Sequence, residues 1–136
     1  MSDKLKAIGF WIEIEDSTYP HPEKFVGNYS DPELKLKIIN YLESGIECVA
    51  WRGLSYCRFY CGVGDQKMGY RDLTDGVWVW PEGLSHYIAY HDVILPPAFI
   101  DSASDNEWKI GEVKHDYNPR TDYDYKFWLT YCKNNT

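Results

Sequence analysis

The chain has 136 residues, 44% of them hydrophobic, which is enough for one domain to bury a core without metals or disulfides. Its 14 basic and 21 acidic side chains leave a net charge of −7, which argues against nucleic-acid binding, where phosphate neutralisation requires a basic face. The same charge would draw a basic protein partner.

Taken in chain order, residues 7–15 come first. Ile8, Phe10, Ile12 and Ile14 alternate with Gly9, Trp11 and two glutamates, a period of two that predicts a strand. Pro20 and Pro22 cannot continue it. Ser30-Asp-Pro-Glu33 is a helix start, with Ser30 as cap, Pro32 in the first turn and Glu33 completing a capping box. Leu34, Ile38, Tyr41 and Leu42 follow at helical spacing, and Gly45 stops the helix. Residues 46–51 and 55–61 read as two strands around Arg52-Gly53, a hairpin. A loop held by Met68, Tyr70 and Leu73 leads to a short strand over 77–80 and a helix over 81–92. Pro96-Pro97 closes that helix, and 98–101 forms one helical turn. Residues 108–113 suit a strand, and 121–133 suit a helix with Tyr125, Trp128, Leu129 and Cys132 on one side. The order β-α-β-β-β-α-β-α predicts an α+β fold, a mostly antiparallel sheet with two to three helices packed on one face.

No run of about 18 apolar residues occurs, so no membrane helix is expected. Residues 1–17 lack the apolar run of a signal peptide. The cytoplasm is the expected compartment, with Cys48, Cys57, Cys61 and Cys132 as reduced thiols.

Residues 72–96 concentrate the chemistry. In the helix over 81–92, Leu84, Tyr87, Ile88 and His91 form the apolar stripe that should face the sheet. Glu82, His86 and Tyr90, spaced by four, line the opposite side, where Glu82 can hold the His86 ring. Trp78 and Trp80 share one side of their strand and Val77 and Val79 the other. The tryptophans are then either core or an aromatic platform for a sugar, an apolar side chain or a partner surface. Arg58, inside a half-buried strand, needs a carboxylate partner, with Asp72 and Asp75 the nearest candidates. The expected binding residues are therefore Trp78, Trp80, Glu82, His86, Tyr90, Asp75 and Arg58.

Cys57-x3-Cys61 followed by His86-x4-His91 has the ligand types of a zinc site. Two points count against a shared ion. Strand residues four apart lie about 13 Å from one another, and His86 and His91 fall on different helix faces. No metal and no cofactor are expected. The catalytic templates fail too, with no nucleophile elbow, P-loop, H-E-x-x-H or dinucleotide fingerprint, so the reading leans away from an enzyme.

The run YLESGIECVAWRGLSYCRFYCG, followed by MGYRDLTDGVWVWPEGLSHYIAYHDVILPPAFI, resembles a family of small bacterial proteins with no assigned activity. The resemblance rests on L-T-D-G-x-W-x-W-P-E-G-L-x-H-Y-x-x-x-H-x-V-x-L-P and covers residues 38–100 of what reads as one domain, 1–136, with 102–136 as a C-terminal extension. It implies a shared fold. Small acidic bacterial proteins of this kind are often immunity proteins against secreted toxins, which is an analogy only. The expected function is a small acidic protein-binding module, of immunity-like type by that analogy. The alternative is a small-molecule or carbohydrate-binding domain, or a weak enzyme, using a Trp platform beside Glu82 and His86.

Overall fold

Five short strands, β1 (Leu5–Ala7), β2 (Ile46–Ala50), β3 (Arg71–Thr74), β4 (Trp78–Pro81) and β5 (Tyr123–Asp124), form one sheet in the order β2-β3-β4-β1-β5. They are seen in a computed structural model that describes residues 4–13, 18–51, 55–64, 68–113 and 117–135. β2 with β3 and β3 with β4 are antiparallel, whereas β1 runs parallel to both β4 and β5. The fold is α+β as expected, but the sheet is mixed rather than mostly antiparallel. The cause is β1, which inserts between β4 and β5 instead of joining a meander.

The helices are α1 (Pro32–Glu43), α2 (Leu84–His91), α3 (Pro97–Asp105), α4 (Pro119–Asp122) and α5 (Lys126–Asn134), with a 3-10 turn at Pro22–Phe25. These exceed the two to three expected. Asp31, not Ser30, caps α1, because its Oδ1 reaches the Glu33 and Leu34 amides at 3.0 and 3.3 Å. α3 extends the single turn expected at 98–101, since Phe99 and Ala103 give it a buried stripe. The helix expected over 121–133 is interrupted. Tyr123 pairs with Leu5 in the sheet, and Asp124 Oδ1 then accepts from the Lys126 amide at 2.9 Å to restart the helix as α5. No strand forms over 108–113, because Glu107 and Trp108 both take positive φ, which breaks an extended run. β1 is shorter than its alternating pattern and ends before Gly9. That glycine has a φ of +75°, and a Cβ there would collide with the Leu84 side chain.

β4 separates two apolar clusters. Trp78 and Trp80 enter the larger one with Ile38, Tyr41 and Leu42 of α1, Leu84, Tyr87 and Ile88 of α2, Phe99 of α3 and Trp128 of α5. Val79 enters the smaller one with Leu5, Ala7, Cys48 and Tyr123. The side chains alternate as strand geometry requires, yet both sides are covered. Trp80 Nε1 donates to the Leu42 carbonyl at 3.1 Å, which removes the cost of burying an indole N–H. Among the described residues, no helix is long and apolar enough to cross a membrane.

Candidate metal centre and the adjoining cavity

The hairpin partner expected for β2 is not residues 55–61. β3 takes that place, and Trp51 and Ser55 donate to the carbonyls of Tyr70 and Gly69, each at 2.8 Å. Arg52-Gly53 lies outside the described residues. The chain from Ser55 to Cys61 leaves the sheet and folds into a turn, closed by the Tyr60 amide on the Cys57 carbonyl at 3.0 Å and by a Tyr60 φ of +50°. Tyr87 OH from α2 accepts from the Arg58 amide at 3.0 Å. His21 Nε2 lies 2.9 Å from the Arg58 carbonyl. The turn is thereby fastened to α2 on one side and to the 3-10 turn on the other.

This turn removes the geometric objection to a shared ion. Strand spacing does not apply to Cys57 and Cys61. His86 and His91 leave α2 about 140° apart around its axis, but His91 is its last residue and the two rings converge to a centroid distance of 5.1 Å. Cys57 Sγ lies 3.5 Å from His91 Nε2, and Cys61 Sγ lies 3.4 Å from His86 Nε2. The four residues each offer a donor atom, and all four atoms fall within 4.8 Å of one another. Burial, opposed to a degree by nearby charge only at His91, holds both imidazoles below the ordinary histidine range, and His91 also lowers His86. A depressed imidazole favours its neutral form, which keeps a lone pair on one ring nitrogen. Burial pushes the Cys57 thiol up.

Beside the turn lies a cavity of about 590 Å³, within the size range of small-molecule sites. Trp11, Trp51, Tyr56, Tyr70 and Tyr125 supply aromatic walls, and Arg58, Arg71, Asp72 and Glu82 supply charge. The charges are largely matched. Arg71 Nη2 meets Glu82 Oε2 at 2.6 Å, and Arg58 Nη2 lies 3.7 Å from Glu13. Arg58 also donates to the carbonyls of Ile12 and Tyr56 at 2.9 and 2.8 Å. Asp72 is 2% exposed and accepts from Tyr123 OH at 2.8 Å. Burial raises its carboxyl to about 6, against the pull of its Trp51 and Tyr123 hydrogen bonds.

The expected binding residues scatter among these features. Trp78 and Trp80, at 2% and 0% exposure, are core and form no platform. Tyr90, at 75%, is exposed as its stripe requires, and Glu82 is half-buried. His86, at 9%, is not exposed, because its ring turns to Cys61. Glu82 does not hold His86. α2 begins at Leu84, so Glu82 precedes the helix, and Oε1 instead accepts from the Tyr70 and Arg71 amides at 3.1 and 3.2 Å. Asp75 is a turn residue, with Oδ1 on the Val77 and Trp78 amides at 2.9 and 2.7 Å and Oδ2 taking the Tyr41 hydroxyl. Neither Asp72 nor Asp75 partners Arg58, which takes Glu13 instead. The sequence reading missed Trp11, Trp51 and Tyr56 at the cavity. The surplus of tyrosine and tryptophan pointed to surface aromatics without saying which. Compared with protein-family models, curated proteins and solved structures, the chain matches none.

Proposed function

We propose that the chain is a small recognition domain and that its ligand occupies the cavity between the 55–61 turn, residues 68–72 and the start of α2. The observation that carries this reading is the combination of aromatic walls with charges already paired across the site. A strongly ionic ligand would have to break Arg71–Glu82 or compete for Arg58. An uncharged ring with one apolar face and a hydroxyl edge would not, and carbohydrates have that chemistry. Trp51 and Tyr70, each about half exposed at the rim, offer faces for stacking. Titration of a panel of mono- and oligosaccharides, followed by tryptophan fluorescence and calorimetry, tests it. Saturable binding weakened about tenfold or more by Trp51→Ala, in a chain that still folds, is the expected result. Failure of every saccharide to shift the amide resonances of Tyr70 and Arg71 would refute it.

A second reading, a protein-binding module of immunity-like type, is favoured by Tyr60 and Tyr90. Each is 75% exposed, and each flanks the cysteine–histidine cluster, Tyr60 next to Cys61 in the chain and Tyr90 against the His86 ring at 5.1 Å. Tyrosines of this kind anchor interfaces, and the net charge of −7 suits a basic partner. Binding of such a partner should weaken with salt and be lost in Tyr60→Ala and Tyr90→Ala while Trp51→Ala binds normally. Retention in the two tyrosine variants would rule this surface out.

A further inference from the structure

We infer that Cys57, Cys61, His86 and His91 bind one zinc ion in a closed, tetrahedral, structural site, independent of whatever the cavity holds. Two thiolates and two neutral imidazoles are a donor set that selects zinc among abundant divalent cations. Bond lengths of about 2.3 Å to sulfur and 2.0–2.1 Å to nitrogen place the corners of a tetrahedron about 3.3–3.8 Å apart. Two of the four sulfur–nitrogen separations here are 3.5 and 3.4 Å, already those of a coordination polyhedron's edges. The full set lies within 4.8 Å, so side-chain rotation of roughly an ångström closes the longest edge.

Two S–H···N hydrogen bonds would satisfy each pair separately. They give no reason for the pairs to meet head to head, with the two imidazole rings 5.1 Å apart. Convergence of all four donor atoms is what a central cation requires. Binding is balanced as hydrated Zn²⁺ shedding its water ligands and displacing one proton from each thiol, so that two Zn–S and two Zn–N bonds form and two protons pass to solvent. The resulting centre is electrically neutral, which permits its partial burial. Cys57 and His86 are buried, His91 is half-buried and Cys61 is exposed, so one edge faces solvent as an entry path. Four protein ligands leave no position for a catalytic water. The ion would instead lock the 55–61 turn onto α2, and with it Arg58, which lies between the two cysteines.

The test is metal analysis of the full chain purified under reducing conditions without chelator, with cobalt(II) substitution as a spectroscopic probe. One equivalent of zinc per chain is expected. The cobalt form should show the intense visible bands of tetrahedral coordination and a thiolate-to-cobalt charge-transfer band. Cys61→Ser and His91→Gln should lose the metal or bind it at least tenfold more weakly. Cys132→Ala, which removes a buried thiol elsewhere, should keep it. Cys61→His retains four donors and should keep one equivalent while roughly halving the charge-transfer intensity, which separates loss of a ligand from loss of the fold. Substoichiometric zinc in a folded chain would overturn the assignment. So would an octahedral cobalt spectrum, or a Cys57–Cys61 disulfide that persists in the reduced preparation. Because the readouts are metal content and cobalt spectrum, failure here leaves the saccharide titration unaffected.

Discussion

Phe59 stacks face to face on His91, with ring centroids 4.2 Å apart and planes 15° from parallel. The contact fixes the orientation of an imidazole at the C-terminal end of α2, and it comes from the residue midway between Cys57 and Cys61. Removing it should loosen the ring without removing a donor. Phe59→Ala should weaken zinc by about tenfold, the lower range for residues that orient a ligand. Competition with a chromophoric chelator would measure this, and unchanged affinity would show that the stack is only packing.

Asp72 gives a pH signature of its own. Its carboxyl is raised to about 6, against an ordinary value near 4, because burial disfavours the charged form. The folded chain therefore holds a proton that the unfolded chain releases between those values. The stability this proton supplies is fully present below about pH 4 and is lost as pH rises through about 6. A shift of roughly two units corresponds to about 3 kcal/mol, an order-of-magnitude figure. Asp72→Asn keeps an acceptor for Tyr123 OH and removes the charge. Urea midpoints should show the variant gaining on the wild type from pH 4 to pH 7, and parallel curves would show that Asp72 stays ionised throughout.

The histidines act with the opposite sign. Burial depresses both, so their contribution is present above about 6.5 and is lost as pH falls, when the unfolded chain takes up protons that the folded chain refuses. Bound zinc would steepen this loss, since protons compete for all four ligands. Release of zinc on acidification, followed with a zinc indicator, should precede global unfolding by circular dichroism.

Within α2 the two sides should differ sharply. Ile88→Ala removes a fully buried side chain and should cost roughly 2–5 kcal/mol, whereas Tyr90→Ala should stay within about 0.5 kcal/mol. His86→Ala should lower the melting temperature of the zinc-loaded protein more than that of the zinc-free protein. Equal losses would make His86 a packing residue only.

Gly69 has a φ of +74°, and a Cβ there would overlap the Glu82 carboxylate. Gly69→Ala should therefore destabilise by about 1–3 kcal/mol and open the Arg71–Glu82 pair at the cavity wall. Chemical denaturation gives the first quantity and the Arg71 amide resonance reports the second.

The local rules that proved legible were those with a short-range cause. Pro32 and the Ile38–Tyr41–Leu42 stripe fixed α1. What escaped was decided at a distance. Nothing in the alternation of residues 7–15 reveals that Gly9 must pass against Leu84. Nothing in residues 55–61 reveals that β3 has already taken the edge of β2. The ligand types of the metal centre were legible from Cys57, Cys61, His86 and His91, but their geometry was not, because it depends on a left-handed residue at Tyr60, which a tyrosine seldom adopts. The cavity was not legible at all, since its walls come from five separate stretches of chain.

The insertion of β1 between β4 and β5 bears on how the chain is made. During synthesis Lys6 has no strand partner until Trp78 is made, and Leu5 waits longer still for Tyr123. The antiparallel β3–β4 hairpin can form locally as it leaves the exit tunnel, while the centre of the sheet stays open with unpaired backbone groups. Non-local parallel pairing of this kind is slow and exposes apolar strands meanwhile. A nascent chain halted before Tyr123 would therefore be a natural client for a holdase chaperone, and synthesis of β5 would be the event that lets the sheet close.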